Sequence, residues 1–242
     1  SGDLFKIICG IFDGKHPSYT KGGKTGASLE KDLIQPLLTM IEEALIKLNE
    51  AFEPFIAEVV PRIAKLFEER NSVTRSLALV TLSMIISFFP GITDIVPQAL
   101  EEAKNSISSK NQAVKQSAYM ALHFLTLANK EYVQESVEEL LGNCIESIKA
   151  DDASINLVLN AALLWGTLVQ AFELTPPQED LVLVMQTLPG PAHNYMLKGN
   201  AIFVDFALKH WQDIVLPYAL TTAVTVLGSD DILMSYIPPD VA

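Results

Sequence analysis

The feature that most constrains this chain is an order of segments that recurs at a step of about 40 residues. Residues 58–61 (Glu-Val-Val-Pro) open an amphipathic stretch, and an almost wholly apolar segment, 75–89, follows it. Similar openings stand at 94–97 and 213–217, and the prolines of these two lie 120 positions apart, which is three steps of 40. Units with this period are paired helices that bury their apolar faces only against neighbouring pairs.

Apolar residues at spacings of three and four predict helices along most of the chain. The predicted helices cover residues 4–12, 29–48, 54–69, 75–89, 113–128, 132–148, 155–172, 178–188, 192–210 and 213–227, with one more that is capped by Thr93 or Asp94 and reaches Ile107. Segment 75–89 is apolar on all sides, so we expect it to lie between neighbours. The fold class predicted is all-α, an α-solenoid of about four to five HEAT-type antiparallel helical pairs over residues 29–242. A short helix end and a flexible polar loop precede it over residues 1–28.

The polar segment 13–28 contains a short match to a nucleotide-binding motif. Gly23-Lys24-Thr25 resembles the end of a phosphate-binding loop, which needs a glycine five positions before the Gly-Lys pair. Ser18 stands at that position, and no buried strand is predicted before it. We therefore interpret the segment as a mobile loop and expect no nucleotide cofactor.

Composition narrows the classes of function. The chain has 242 residues, 49% of them hydrophobic, yet no apolar run reaches the roughly 20 residues of a membrane span, so we expect no membrane insertion. The net charge of −12 disfavours nucleic acid and favours basic protein partners, or it serves only to keep an apolar protein soluble. The two cysteines lie far apart, which argues against a zinc site or a disulfide scaffold.

We find no sequence pattern that predicts catalysis. None of the four histidines has a second ligand three or four residues away, and no nucleophile elbow is present. His123 lies between apolar residues and Cys144 lies on an apolar stripe, so both are predicted to be core residues. The chain is therefore predicted not to be an enzyme and to hold no metal.

Two groups of polar residues are predicted to bind a partner. The first comprises acids on one helix and on the turn after it, and the second comprises asparagines on the following helix. These candidate residues are Glu135, Glu138, Glu139, Asp151, Asp152, Asn156 and Asn160. On the concave face of a solenoid, such acids would hold Lys and Arg side chains of a basic protein. The alternative is that the acids form a solvated outer face. Trp165, on the same helix as the asparagines, is predicted to be core packing.

Residues 55–61, 75–82 and 113–122 resemble repeats in the C-terminal half of importin-β-type karyopherins, and the resemblance extends from Phe55 to about Leu227. Leu188-Pro189 is similar to a Leu-Pro pair of those proteins. The resemblance implies a nuclear import receptor, shared between cytoplasm and nucleus, that wraps basic protein cargo. It also implies contact with phenylalanine–glycine nucleoporins between outer helices, and with the Ran GTPase through the full-length receptor. The alternative is a HEAT-repeat scaffold subunit of another kind.

Overall fold

The computed structural model describes residues 2–13, 31–177, 179–180 and 183–184. This part of the chain is all-α, as predicted, and contains no strand. Its helices are α1 (Gly2–Phe12), α2 (Lys31–Leu48), α3 (Ile56–Ala64), α4 (Ser72–Phe88), α5 (Val96–Ile107), α6 (Gln112–Val133), α7 (Val137–Lys149) and α8 (Ile155–Ala171). The predicted loop over 14–28 and the helices predicted beyond residue 188 lie outside the described residues. Of the predicted helix 178–188, residues 179–180 and 183–184 are described and are helical.

The chain divides into two compact units, residues 1–137 and 138–242. The first unit contains α1 to α6. The second contains α7, apart from its first residue, and α8.

Helix α4 lies at the centre of the first unit. It packs against α2, α3, α5 and α6, which confirms the prediction of a helix between neighbours. Thr81 of α4 donates to a carboxylate oxygen of Glu42 of α2 at 2.6 Å, and farther along both segments the rings of Phe52 and Phe89 lie 6.3 Å apart. Because both contacts advance together, α2 and α4 run in the same direction.

Helix α6 makes the most extensive contacts with α4, and it forms a hairpin with α5. The side-chain amide of Asn129, near the end of α6, donates to the carbonyl of Pro90, just after α4, at 3.1 Å. This bond and the one from Thr81 to Glu42 each join residues 39 positions apart. The contacts of α4 with α2 and with α6 thus recur at nearly the 40-residue step of the sequence repeat.

Helix α1 packs against α3 as α2 packs against α4. The ring of Phe5 stacks on that of Phe55 with centroids 3.8 Å apart. Arg62 donates through both Nε and Nη2 to the carboxylate of Asp13, at 2.9 and 3.0 Å. The ion pair joins residues 49 positions apart, so the step is longer between these helices than between α2 and α4.

Helices α4, α6 and α8 begin in the same way. Asn71, Asn111 and Ser154 are the N-caps of α4, α6 and α8, and each side-chain oxygen accepts a backbone N–H, at 2.9, 3.0 and 3.3 Å. An alanine follows each cap by seven positions, and these alanines, Ala78, Ala118 and Ala161, are fully buried. The first step between caps is the predicted 40 residues, and the second is 43.

Several predicted boundaries differ from the structure. The prediction that Thr93 or Asp94 caps the next helix is wrong, because α5 begins at Val96 after Ile95, which makes no side-chain cap bond. The turn is closed instead by the Val96 N–H, which donates to the Thr93 carbonyl at 3.2 Å. The single helix predicted over 54–69 is α3 between two 3₁₀ segments, Asn49–Phe55 and Lys65–Glu68.

Candidate functional site

A groove lies between α3 and α5 in the first unit. It has a volume of about 520 Å³, within the range of ligand-binding clefts. One wall is formed by α3 and the 3₁₀ segment after it, with Ile56, Ala57, Val60, Pro61, Ala64, Lys65 and Glu68. The facing wall is formed by the turn before α5 and by the first turn of α5, with Ile92, Asp94, Ile95 and Gln98. Val60 and the three isoleucines are buried or half-buried, so they form an apolar floor beneath an exposed polar rim.

The rim of the α3–α5 groove is acidic. Glu68 and Asp94 are both exposed and lie on opposite walls, whereas Lys65 is the one basic residue among the lining residues. Neither carboxylate forms an ion pair with any residue that the structure describes. The rim therefore presents two carboxylates against one ammonium group.

Pro61 adds a backbone acceptor to the same wall. A proline inside a helix has no N–H for the carbonyl four residues earlier, which here belongs to Ala57. Ala57 and Pro61 are both exposed and both line the groove. The groove thus presents carboxylates, a carbonyl that receives no bond from residue 61, and an apolar floor.

Arg75, at the start of α4, forms hydrogen bonds to residues next to both walls of the groove. Its Nε donates to a carboxylate oxygen of Glu102 of α5 at 2.8 Å, and its Nη1 donates to the carbonyl of Glu69 at 2.8 Å. Glu69 directly follows the 3₁₀ segment that ends the α3 wall. One guanidinium therefore joins the elements of both walls, and a group held in this way keeps the groove preformed.

The structure does not gather the predicted acids into one cluster. Glu138 and Glu139 are exposed in the first turn of α7, where the helix dipole favours negative charge. Asp151 and Asp152 are exposed in the turn after α7. Because α7 has 13 residues, the two acid pairs lie roughly 20 Å apart along the helix axis. Glu135 is exposed in the 3₁₀ segment Gln134–Ser136 of the first unit.

The two predicted asparagines differ in accessibility. Asn156 is exposed on α8, whereas Asn160 is buried and donates through its side-chain amide to the Asn156 carbonyl at 2.8 Å. Trp165 is 2% exposed, which confirms its prediction as core packing. The bond from Asn160 stays within one helix, and of this pair only Asn156 has an exposed side chain.

His123 and Cys144 are buried, as predicted from their apolar neighbours. Burial lowers the pKa of His123 to about 4 and raises the pKa of the Cys144 thiol far above its ordinary range. In the described part of the chain, no group of three or more His, Cys, Asp or Glu residues could hold a metal ion. Within the same residues, none of the helices has the length and apolar character to cross a bilayer.

The groove residues were not predicted from the sequence. The available signal was the spacing of Ile56, Val60, Ala64 and Glu68, which repeats every four residues and ends on an acid. That pattern gives one wall only, and the facing wall comes from the turn before α5, which carries no helical periodicity. Comparison with known proteins gave no match to a family model, to a curated protein or to a solved structure.

Proposed function

We propose that this chain is a segment of a HEAT-type α-solenoid that binds basic segments of partner proteins. The observation that supports it best is the packing of α2, α4 and α6, whose side-chain contacts recur at 39 residues beside an open, acid-rimmed groove. Helical hairpins that stack at a constant step expose long surfaces, and proteins of this architecture work through those surfaces.

Charge supports a basic partner. The chain carries a net charge of −12, and the rim acids Glu68 and Asp94 form no ion pair with any described residue. An acidic surface accelerates the approach of basic partners and makes binding sensitive to salt. The predicted acids at both ends of α7 add to this field without forming a pocket.

The specific form of the proposal is a nuclear import receptor segment. It rests on the resemblance of residues 55–61, 75–82 and 113–122 to importin-β-type repeats. In that role the chain carries basic cargo, contacts phenylalanine–glycine nucleoporins between outer helices, and responds to Ran through the full-length receptor. It then moves between cytoplasm and nucleus.

A second candidate is a HEAT-repeat scaffold that assembles protein subunits outside nuclear transport. The placement of the predicted cargo residues favours it, because the acid pairs flanking α7 lie roughly 20 Å apart and Asn160 is buried. A scaffold needs no such cluster and uses its grooves for several partners.

A binding experiment with the whole chain separates these functions. The immobilised chain is offered a histone-tail peptide rich in Lys and Arg, an acidic peptide of equal length, and a phenylalanine–glycine repeat peptide. An import receptor segment binds the basic and the phenylalanine–glycine peptides, and only the basic one is released by salt. A scaffold of another kind ignores the phenylalanine–glycine peptide. If the basic peptide bound no better than the acidic one, both forms of the proposal would fail.

A further inference from the structure

We infer that the α3–α5 groove binds a short partner segment in which an aliphatic or aromatic side chain stands next to Lys or Arg. This inference rests on the proposed function and assigns the site and the partner chemistry that the function leaves open. The apolar side chain enters the floor formed by Ile56, Val60 and the isoleucines of the facing wall. The basic side chain pairs with Asp94 or Glu68 on the rim.

Geometry distinguishes this groove from the space between the preceding helices. Between α1 and α3, Phe5 stacks on Phe55 and Arg62 pairs with Asp13, so aromatic and ionic groups fill the contact. Between α3 and α5 the lining side chains leave about 520 Å³. Helix α3 therefore has side chains packed against α1 on one side and an open apolar groove towards α5 on the other. The groove towards α5 is the space available to a ligand.

Charge selects the occupant. An uncharged apolar segment would cover Glu68 and Asp94 without replacing the water that solvates them, which costs free energy. A neighbouring Lys or Arg offsets that cost, because each donates to a carboxylate at the edge of the contact. The Ala57 carbonyl receives no hydrogen bond from Pro61, which has no N–H, and it accepts a backbone N–H of the bound segment.

The test uses the full chain and a fluorescein-labelled peptide with a central Lys-Leu-Phe-Arg sequence, followed by fluorescence anisotropy. Control peptides replace Lys and Arg with Gln, or Leu and Phe with Ser. Both replacements are expected to weaken binding, and raising the salt concentration from about 50 to about 300 mM weakens only the peptides that keep their charge. An uncharged Phe-Gly peptide that bound equally well would overturn the inference and leave the import proposal standing.

Variants of the rim give effects of opposite sign. Asp94→Asn and Glu68→Gln are expected to weaken binding by about 2- to 5-fold each, whereas Lys65→Gln strengthens it by about 2-fold. Glu101→Gln, on the exposed side of α5 and outside the groove, is the matched control and leaves the affinity unchanged. Ala57→Trp fills the groove and reduces binding by more than about 10-fold.

The outcomes distinguish failure of this inference from failure of the proposed function. If the chain binds the Lys-Leu-Phe-Arg peptide but the variants at Asp94, Glu68 and Ala57 match the Glu101→Gln control, the groove is not the site and the proposed function survives. If the wild-type chain binds no basic peptide, the proposed function fails as well. Self-association that Ala57→Trp abolishes would identify a second copy as the occupant and overturn the inference. Circular dichroism melts establish that each variant is folded.

Discussion

Acidification is expected to destabilise the fold through His123, a buried histidine of α6. The side chain is 8% exposed, and burial lowers its pKa from 6.5 to about 4, because the charged ring loses its solvation in the core. A group with a folded pKa below its unfolded value stabilises the protein above the unfolded pKa. That contribution is therefore fully present above pH 6.5 and is lost as the pH falls through about 4.

The pKa difference sets the size of the effect. It corresponds to about 3 kcal/mol when His123 is fully protonated, and to about 2 kcal/mol of lost stability between about pH 7 and pH 5. Urea unfolding followed by circular dichroism at the two pH values measures this loss. The variant His123→Phe keeps an aromatic ring and removes the titration, so its loss over the same interval is expected to be smaller by about 2 kcal/mol.

A proton NMR titration of the wild-type chain gives the pKa itself, since the His123 resonance is absent from the His123→Phe spectrum. A titration midpoint near 6.5, or equal pH dependence of the two proteins, would refute the account of a desolvated histidine in the core.

Three further predictions concern the caps, the guanidinium bridge and the buried thiol. Asn111→Ala removes an N-cap bond and is expected to cost about 1 kcal/mol in urea unfolding, with Asn71→Ala costing a similar amount because the two caps have the same geometry; a cost below that of a surface control would contradict this. Arg75→Lys cannot keep both bonds of the guanidinium fork and is expected to cost about 1 kcal/mol, measured as a lower melting temperature, and an unchanged melt would disprove the bridge. Cys144 is expected to react with Ellman's reagent only after unfolding, since burial raises its pKa, and rapid labelling in native buffer would place it at the surface.

Helices α4, α6 and α8 were predictable from the sequence. Apolar spacing gave α4, α6 and α8 to within about five residues at their ends, and the step of 40 placed Ala78 and Ala118 at equivalent buried positions. These features can be read locally, because a helix that is apolar on most sides is stable only when it is buried between other elements. The core positions of His123 and Cys144 followed from apolar neighbours in the sequence, and Trp165 was also predicted to be core packing.

Other features depend on contacts between elements and could not be predicted. The start of α5 was misplaced because the turn is closed by the backbone of Thr93 and Val96, which leaves no cap signature in the side chains. The α3 region breaks into 3₁₀ and α segments, and Pro54 and Pro61 lie within it, whereas periodicity alone suggested one helix. Only one wall of the α3–α5 groove has a sequence pattern, and the groove itself depends on the distance between that wall and the residues that face it.

The most direct measurement of the repeat packing is a pulsed electron paramagnetic resonance distance within the first unit. Spin labels replace Ile46 near the end of α2 and Leu127 near the end of α6, which are 59% and 52% exposed, in a chain whose Cys9 and Cys144 are replaced by alanine. If α4 lies between α2 and α6, two interaxial spacings predict one narrow distribution at roughly 20 Å. A broad distribution, or one centred beyond roughly 35 Å, would contradict the packing of these helices at a constant step.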